Sequence, residues 1–181
     1  AVLPDGRVIV AGGEYNCNPT CVANWQAKAA LYDPVTKTWV NVPPPTGWTT
    51  IGDAQALVMS NGIFMLADCC SSKMAYFNPS TLTWTNLVLS KNQVDANNNE
   101  ENWVLLPSGK LLAVHASYAA SQTYSEVFDP QTLGWSFAGD TKVVLTDPGS
   151  KEQGPGTLRP DGTVVFFGGA NPGPAPTAIY D

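Results

Sequence analysis

The sequence predicts an all-β chain built from a repeated four-stranded antiparallel unit, and three observations carry that prediction. A nine-residue cassette occurs three times: Tyr32-Asp33-Pro34-Val35-Thr36-Lys37-Thr38-Trp39-Val40, then Phe77-Asn78-Pro79-Ser80-Thr81-Leu82-Thr83-Trp84-Thr85, then Phe128-Asp129-Pro130-Gln131-Thr132-Leu133-Gly134-Trp135-Ser136. A fourth copy opens at Ile179-Tyr180-Asp181, and the intervals between the aromatic positions are 45, 51 and 52 residues. A period near 50 residues marks one supersecondary unit per repeat, stacked on its neighbours because no unit buries its own faces. A second marker runs in step: a tight turn ending in Gly6, Gly62, Gly109 or Gly162, each followed by an apolar run. Finally, no stretch shows convincing 3.6-residue periodicity, so helices are expected to be short or absent.

The elements follow in order within each repeat. The turns Leu3-Pro4-Asp5-Gly6, Met59-Ser60-Asn61-Gly62, Leu106-Pro107-Ser108-Gly109 and Arg159-Pro160-Asp161-Gly162 join strands A and B, since Gly accepts positive φ at little cost. Strand B is apolar throughout, as a strand buried on both faces should be. In the cassette, the aromatic ends strand C, Asp/Asn-Pro-x-Thr makes a turn, and the Trp lies on strand D. The expected repeats are 1–42, 53–88, 102–138 and 154–181, with Ala1 already in strand A and strand D of the fourth repeat not included.

These residues resemble the kelch repeat, the blade of one β-propeller class. The resemblance rests on the diglycines Gly12-Gly13 and Gly168-Gly169 after strand B and on the pairs Tyr32/Trp39, Phe77/Trp84 and Phe128/Trp135. It implies a kelch-type propeller of about three and a half four-stranded blades, with Trp39, Trp84 and Trp135 packed between blades. Propellers have about 4–8 blades, and an unclosed one leaves bare strand edges. The reading is therefore part of a larger ring, completed by remaining blades of a longer chain; a four-bladed ring and a ring of two copies are the alternatives.

Composition narrows the partners. A net charge of −6 and a pI near 4.6 argue against nucleic acid or an anionic membrane surface. No apolar run approaches the ~18 residues of a membrane-spanning helix. Cys17 and Cys21 share one loop, and Cys69 and Cys70 are adjacent. Four cysteines at loop positions fit disulfides in an extracellular or periplasmic compartment. The pairing is either Cys17–Cys21 with Cys69–Cys70 or two bridges between repeats. Asn18-Pro19-Thr20 and Asn78-Pro79-Ser80 carry a central Pro that disqualifies them as glycosylation sequons.

Function is expected where loops are long. The A–B and C–D turns are short and stereotyped, whereas the B–C and D–A connections on the opposite face are varied, and rigid scaffolds place function on such loops. Six residues beyond each turn glycine stand Gly12, Asp68, His115 and Gly168. His115, the single His, and Asp68 thus occupy equivalent places on neighbouring repeats, a pair suited to proton transfer or ligand hydrogen bonding. The structural alternative is that His115 satisfies a loop carbonyl and Asp68 caps a turn. Nine residues before the turn glycines stand Asp53, Glu100 and Gln153, oxygen donors at one level that could hold a hard cation such as Ca²⁺. The loop aromatics Tyr15, Trp25, Trp48 and Tyr118 are suited to stacking on sugar rings or anchoring a protein partner.

There is no nucleophile elbow, phosphate loop or paired metal motif. This favours a secreted scaffold binding a protein or glycan ligand through its loop face. Two enzymatic alternatives stand beside it. A hydrolase or lyase would use His115 with Asp68, Asp53 or Glu101. The kelch resemblance also implies the copper-radical oxidase class, whose site takes a Tyr cross-linked to Cys with further Tyr and His copper ligands, and no motif of this chain maps onto that set.

Overall fold

Sixteen strands and no helix make up the described residues of the computed structural model, which are 1–17, 19–87, 97–115, 123–147, 149–169 and 174–181. The first sheet orders β1 (Val8–Ala11), β4 (Ala29–Asp33) and β5 (Thr38–Val42) as β1-β4-β5. A two-stranded hairpin, β2 (Tyr15–Cys17) with β3 (Cys21–Ala23), rises from the connection between β1 and β4. The second sheet is a meander of β6 (Ala56–Val58), β7 (Phe64–Ala67), β8 (Met74–Asn78) and β9 (Thr83–Leu87). The third repeats it with β10 (Asn102–Leu105), β11 (Leu111–Val114), β12 (Tyr124–Asp129) and β13 (Gly134–Asp140). The fourth contains β14 (Gln153–Leu158), β15 (Val164–Gly168) and β16 (Thr177–Tyr180). All pairings within these sheets are antiparallel.

Turn chemistry explains the regularity. In each A–B turn the glycine N–H donates to the carbonyl three residues back: Gly6 to Leu3, Gly62 to Met59, Gly109 to Leu106 and Gly162 to Arg159. The φ values of these glycines lie between 80° and 90°, the left-handed region of a three-residue hairpin loop. In the C–D turns Asp33, Asn78 and Asp129 accept N–H bonds from the residue two positions on. Lys37, Leu82 and Leu133, four positions beyond these caps, all sit near φ +56° (57, 56 and 55). The same non-glycine left-handed residue thus recurs in three turns.

The sheets stack face to face in chain order. Ile9, Leu31 and Val42 of the first sheet meet Phe64, Leu66 and Phe77 of the second. Met65, Ala67 and Met74 on the reverse of the second meet Leu111, Ala113 and Phe128 of the third. Leu112 and Val114 then meet Val164 and Phe166 of the fourth. Along the strand after each turn, alternate side chains face the preceding and the following sheet, the period-2 rule of a pleated strand. Each fully buried Leu or Phe contributes about 1.5–3 kcal/mol. Polar ties run beside this packing: Trp84 Nε1 donates to the Pro43 carbonyl at 2.7 Å, and Arg7 donates to that of Pro79 at 2.8 Å.

Three expectations are corrected by this stacking. Strand B is buried on both faces only in the middle sheets; in the end sheets Val10 is 54% and Phe167 42% exposed, because no sheet covers the outward side. Trp39 does not pack between sheets: it is 58% exposed on the outer face of the first, stacked on Tyr32 at 4.9 Å. Strand A of the first repeat is reduced to an isolated bridge between Val2 and Val8.

Two substitutions test the turn account. A Cβ at Gly62 would stand 2.8 Å from Pro4 of the neighbouring turn and force a left-handed alanine. Gly62→Ala is expected to cost about 1–2 kcal/mol, whereas Lys37→Gly, relieving about 1–2 kcal/mol of left-handed strain against about 0.4–1 kcal/mol of added unfolded-chain entropy, should give a small net gain. Urea melts of both variants provide the check.

Candidate functional site

Two groups of polar side chains lie where the first strands of the sheets begin and their second strands end. The inner group is ionisable and closed. His115 follows β11 directly, Glu101 immediately precedes β10, and Glu126 lies within β12. His115 Nδ1 lies 2.8 Å from Glu101 Oε1, and Nε2 lies 3.2 Å from Glu126 Oε2. The three side chains are 3%, 1% and 0% exposed. Trp103 Nε1 donates to Glu101 Oε2 at 2.9 Å, while Glu126 Oε1 has no hydrogen-bond partner among the described residues. With carboxylate oxygens at both nitrogens, an imidazolium can donate twice and hold the two acids together.

Among the described residues, the ring of His115 thus meets Glu101 and Glu126 of its own repeat rather than Asp68. Asp68, 2% exposed, accepts from Thr50 Oγ1 at 2.8 Å and Ser71 Oγ at 2.6 Å, the turn-capping alternative. Asn98 reinforces that turn by donating from Nδ2 to the carbonyls of Asp68, Ser71 and Lys73. Glu126 is the residue that sequence reasoning missed. Two positions before each cassette aromatic stand Ala30, Ala75, Glu126 and Ala178, so the repeat does mark it as the exception on a buried face.

The outer group is acidic and open. Asp53 and Glu100, which precede the first strands of the second and third sheets, are hydrogen-bonded to each other. Glu152, before the fourth, and Glu14, after β1, act electrostatically on the same carboxyl. Burial, the bond to Asp53 and these like charges push the Glu100 carboxyl up to about 8. Tyr15 is raised too, first by the Glu14 charge and its hydrogen bond, with Glu152 and Asp53 adding smaller effects. Gln153 lies beside the group but turns its Nε2 to the Val114 carbonyl at 3.4 Å. Glu152, one residue ahead of Gln153, is the side chain that acts on the group from the fourth repeat.

The aromatics divide. Tyr15 (59% exposed) and Trp25 (44%) are open, whereas Trp48 (6%) is packed into the core between the first two sheets and is corrected from ligand contact to structure. Tyr118 lies outside the described residues. Trp25 rests against Gly52, which precedes Asp53: a Cβ there would lie 2.7 Å from the indole and 2.6 Å from Cys69 Sγ. The disulfides are Cys17–Cys21, closing the β2–β3 hairpin, and Cys69–Cys70; neither bridges two sheets.

A carboxyl held near 8 makes stability depend on pH with a definite sign. The folded value of Glu100 lies above its ordinary 4.5, so the native state binds that proton more tightly. Its contribution is full below pH 4.5 and is lost as pH rises toward 8. Thermal melts should show Glu100→Gln unchanged at pH 4 and more stable than wild type at pH 9. His115→Ala would take the shared partner from two buried carboxyl groups and should cost about 3–5 kcal/mol in a urea melt.

No protein-family model matches the chain, and no curated protein is similar to it in sequence. Among solved structures it is similar to a novel fungal alcohol oxidase with catalytic diversity among the AA5 family, in complex with copper. The TM-score is 0.64 at 14% identity, covering 98% of this chain and 40% of the oxidase chain. At that identity the likeness is one of fold.

Proposed function

We propose that the four sheets are successive blades of a kelch-class β-propeller, that the propeller extends beyond this chain, and that its loop-bearing end binds a carbohydrate outside the cell. Support for the architecture comes from the face-to-face stacking of like sheets and from the likeness to an oxidase chain of which this one spans 40%. The two disulfides support an oxidising compartment.

One observation carries the ligand class: exposed Tyr15 and Trp25 stand beside the carboxylates of Asp53, Glu100, Glu14 and Glu152. An aromatic face takes the apolar side of a pyranose while carboxyl groups take its hydroxyls. A net charge of −6 disfavours anionic glycans.

A second reading, an oxidase resembling the structural neighbour, draws on the fold alone. Copper is bound by that neighbour, but the one His of this chain does not fit a copper ligand, since both ring nitrogens face buried carboxylates. No copper step is assigned to these residues.

Calorimetric titration with neutral pyranose tetrasaccharides tests the binding reading. Trp25→Ala should weaken binding about tenfold, the loss of roughly 1.4 kcal/mol of stacking, and Asp53→Asn should weaken it too. Absence of saccharide binding, or binding indifferent to Trp25, overturns it.

A further inference from the structure

We propose that the Cys69–Cys70 disulfide is a thiol-exchange site, opened by an external thiol at Cys70 and read out at Trp25. The two cysteines differ in access: Cys69 has 0% exposure while Cys70 is exposed. Cys69 is pinned from both sides. Its N–H donates to the Ile51 carbonyl at 3.0 Å, and its sulfur presses on Gly52 from near the Trp25 indole. The distances from the Gly52 Cβ direction, 2.6 Å to Cys69 Sγ and 2.7 Å to Trp25 Cδ1, limit the sulfur-to-indole separation to the sum of the two.

Access decides the chemistry. An incoming thiolate attacks Cys70 Sγ, the S–S bond breaks, and its electron pair leaves on Cys69 sulfur, which takes up a proton. The product is a mixed disulfide on Cys70 and a thiol on Cys69. With a dithiol, the second reductant sulfur attacks the reductant sulfur of the mixed disulfide and releases Cys70. The dithiol is oxidised to its disulfide, and the cysteine pair gains two electrons and two protons.

The surrounding turn does not depend on the bond that is cut. Asp68 holds it through Thr50, Ser71 and the Cys70 N–H, and Asn98 holds three of its carbonyls. A disulfide between neighbouring residues closes almost no loop, so its removal returns little entropy to the unfolded chain. Reduction is thus local and reversible. Because Gly52 leads directly into Asp53, the change is delivered at the edge of the acidic group.

The experiment uses the full chain in a Cys17→Ser/Cys21→Ser background, so that one disulfide remains. Glutathione should leave an adduct that maps to Cys70 by fragment mass analysis. Dithiothreitol should raise the Trp fluorescence, since a disulfide quenches a nearby indole, and reoxidation should reverse the rise. The Trp25→Phe variant should lose this response, and reduction should move the Tm by less than about 2–4 °C, the equivalent of 1 kcal/mol. An adduct on Cys69, no adduct at all, or a fluorescence rise that persists in Trp25→Phe overturns the proposal. If the double serine variant fails to fold, the wild-type chain gives the same mapping, because Lys28 and Lys37 separate the two cysteine pairs into different tryptic peptides.

Discussion

Each of the four stacked sheets of this protein has two apolar faces, and each face needs another sheet to cover it. That constraint organises the rest. Along β7 all four residues are buried because Phe64 and Leu66 meet the first sheet while Met65 and Ala67 meet the third. The same alternation makes β11 fully buried. Where a face has no neighbour, equivalent side chains stand in water: Val10 on the first sheet, Phe167 on the fourth. The two exposed faces are not alike. Val10 belongs to the set that faces a preceding sheet and Phe167 to the set that faces a following one, so they are complementary halves of the internal interface.

Stacking also determines what happens at the polar end. As the sheets come together, the residues entering their first strands are brought side by side, and four of them are acidic: Asp53, Glu100, Glu101 and Glu152. Glu101 turns inward to the ring of His115, whose other nitrogen meets Glu126, a buried arrangement that trades solvation for hydrogen bonds. Glu100 stays half-buried beside Asp53, and burial first, then the bond to Asp53 and the nearby like charges, raises the proton affinity of its carboxyl. Two adjacent glutamates thus have opposite roles, because the chain turns at Glu100, whose φ is +55°, before it enters β10.

Much of this was legible in the sequence wherever the cause was local. The A–B turns depend on one glycine with positive φ, and the C–D turns on an Asx cap, so both can be read from a few residues. The strand order followed from them. What was not legible depends on neighbours across the stack. Trp39 and Trp135 occupy the same place in their cassettes, yet one is exposed and the other buried, because only one has a sheet in front of it. Trp48 looked like a loop aromatic and is core, drawn in by Ile51 and Phe64 of the same cluster. The hairpin of β2 and β3 has three-residue strands without apolar alternation, so periodicity could not announce it. For His115, the repeat identified its position but not its partners, since Glu101 reaches it from just ahead of β10 and Glu126 from β12.

Light scattering behind size exclusion on the 181-residue chain tests the central constraint most directly. If each sheet face requires a covering sheet, the isolated chain should associate through its exposed ends and elute with a mass above 19.2 kDa. Introducing Val10→Asp together with Phe167→Asp should return it to the monomer with its β-type circular dichroism intact. A wild-type chain that runs as a clean 19.2 kDa monomer at the concentrations needed for structure work would contradict the account.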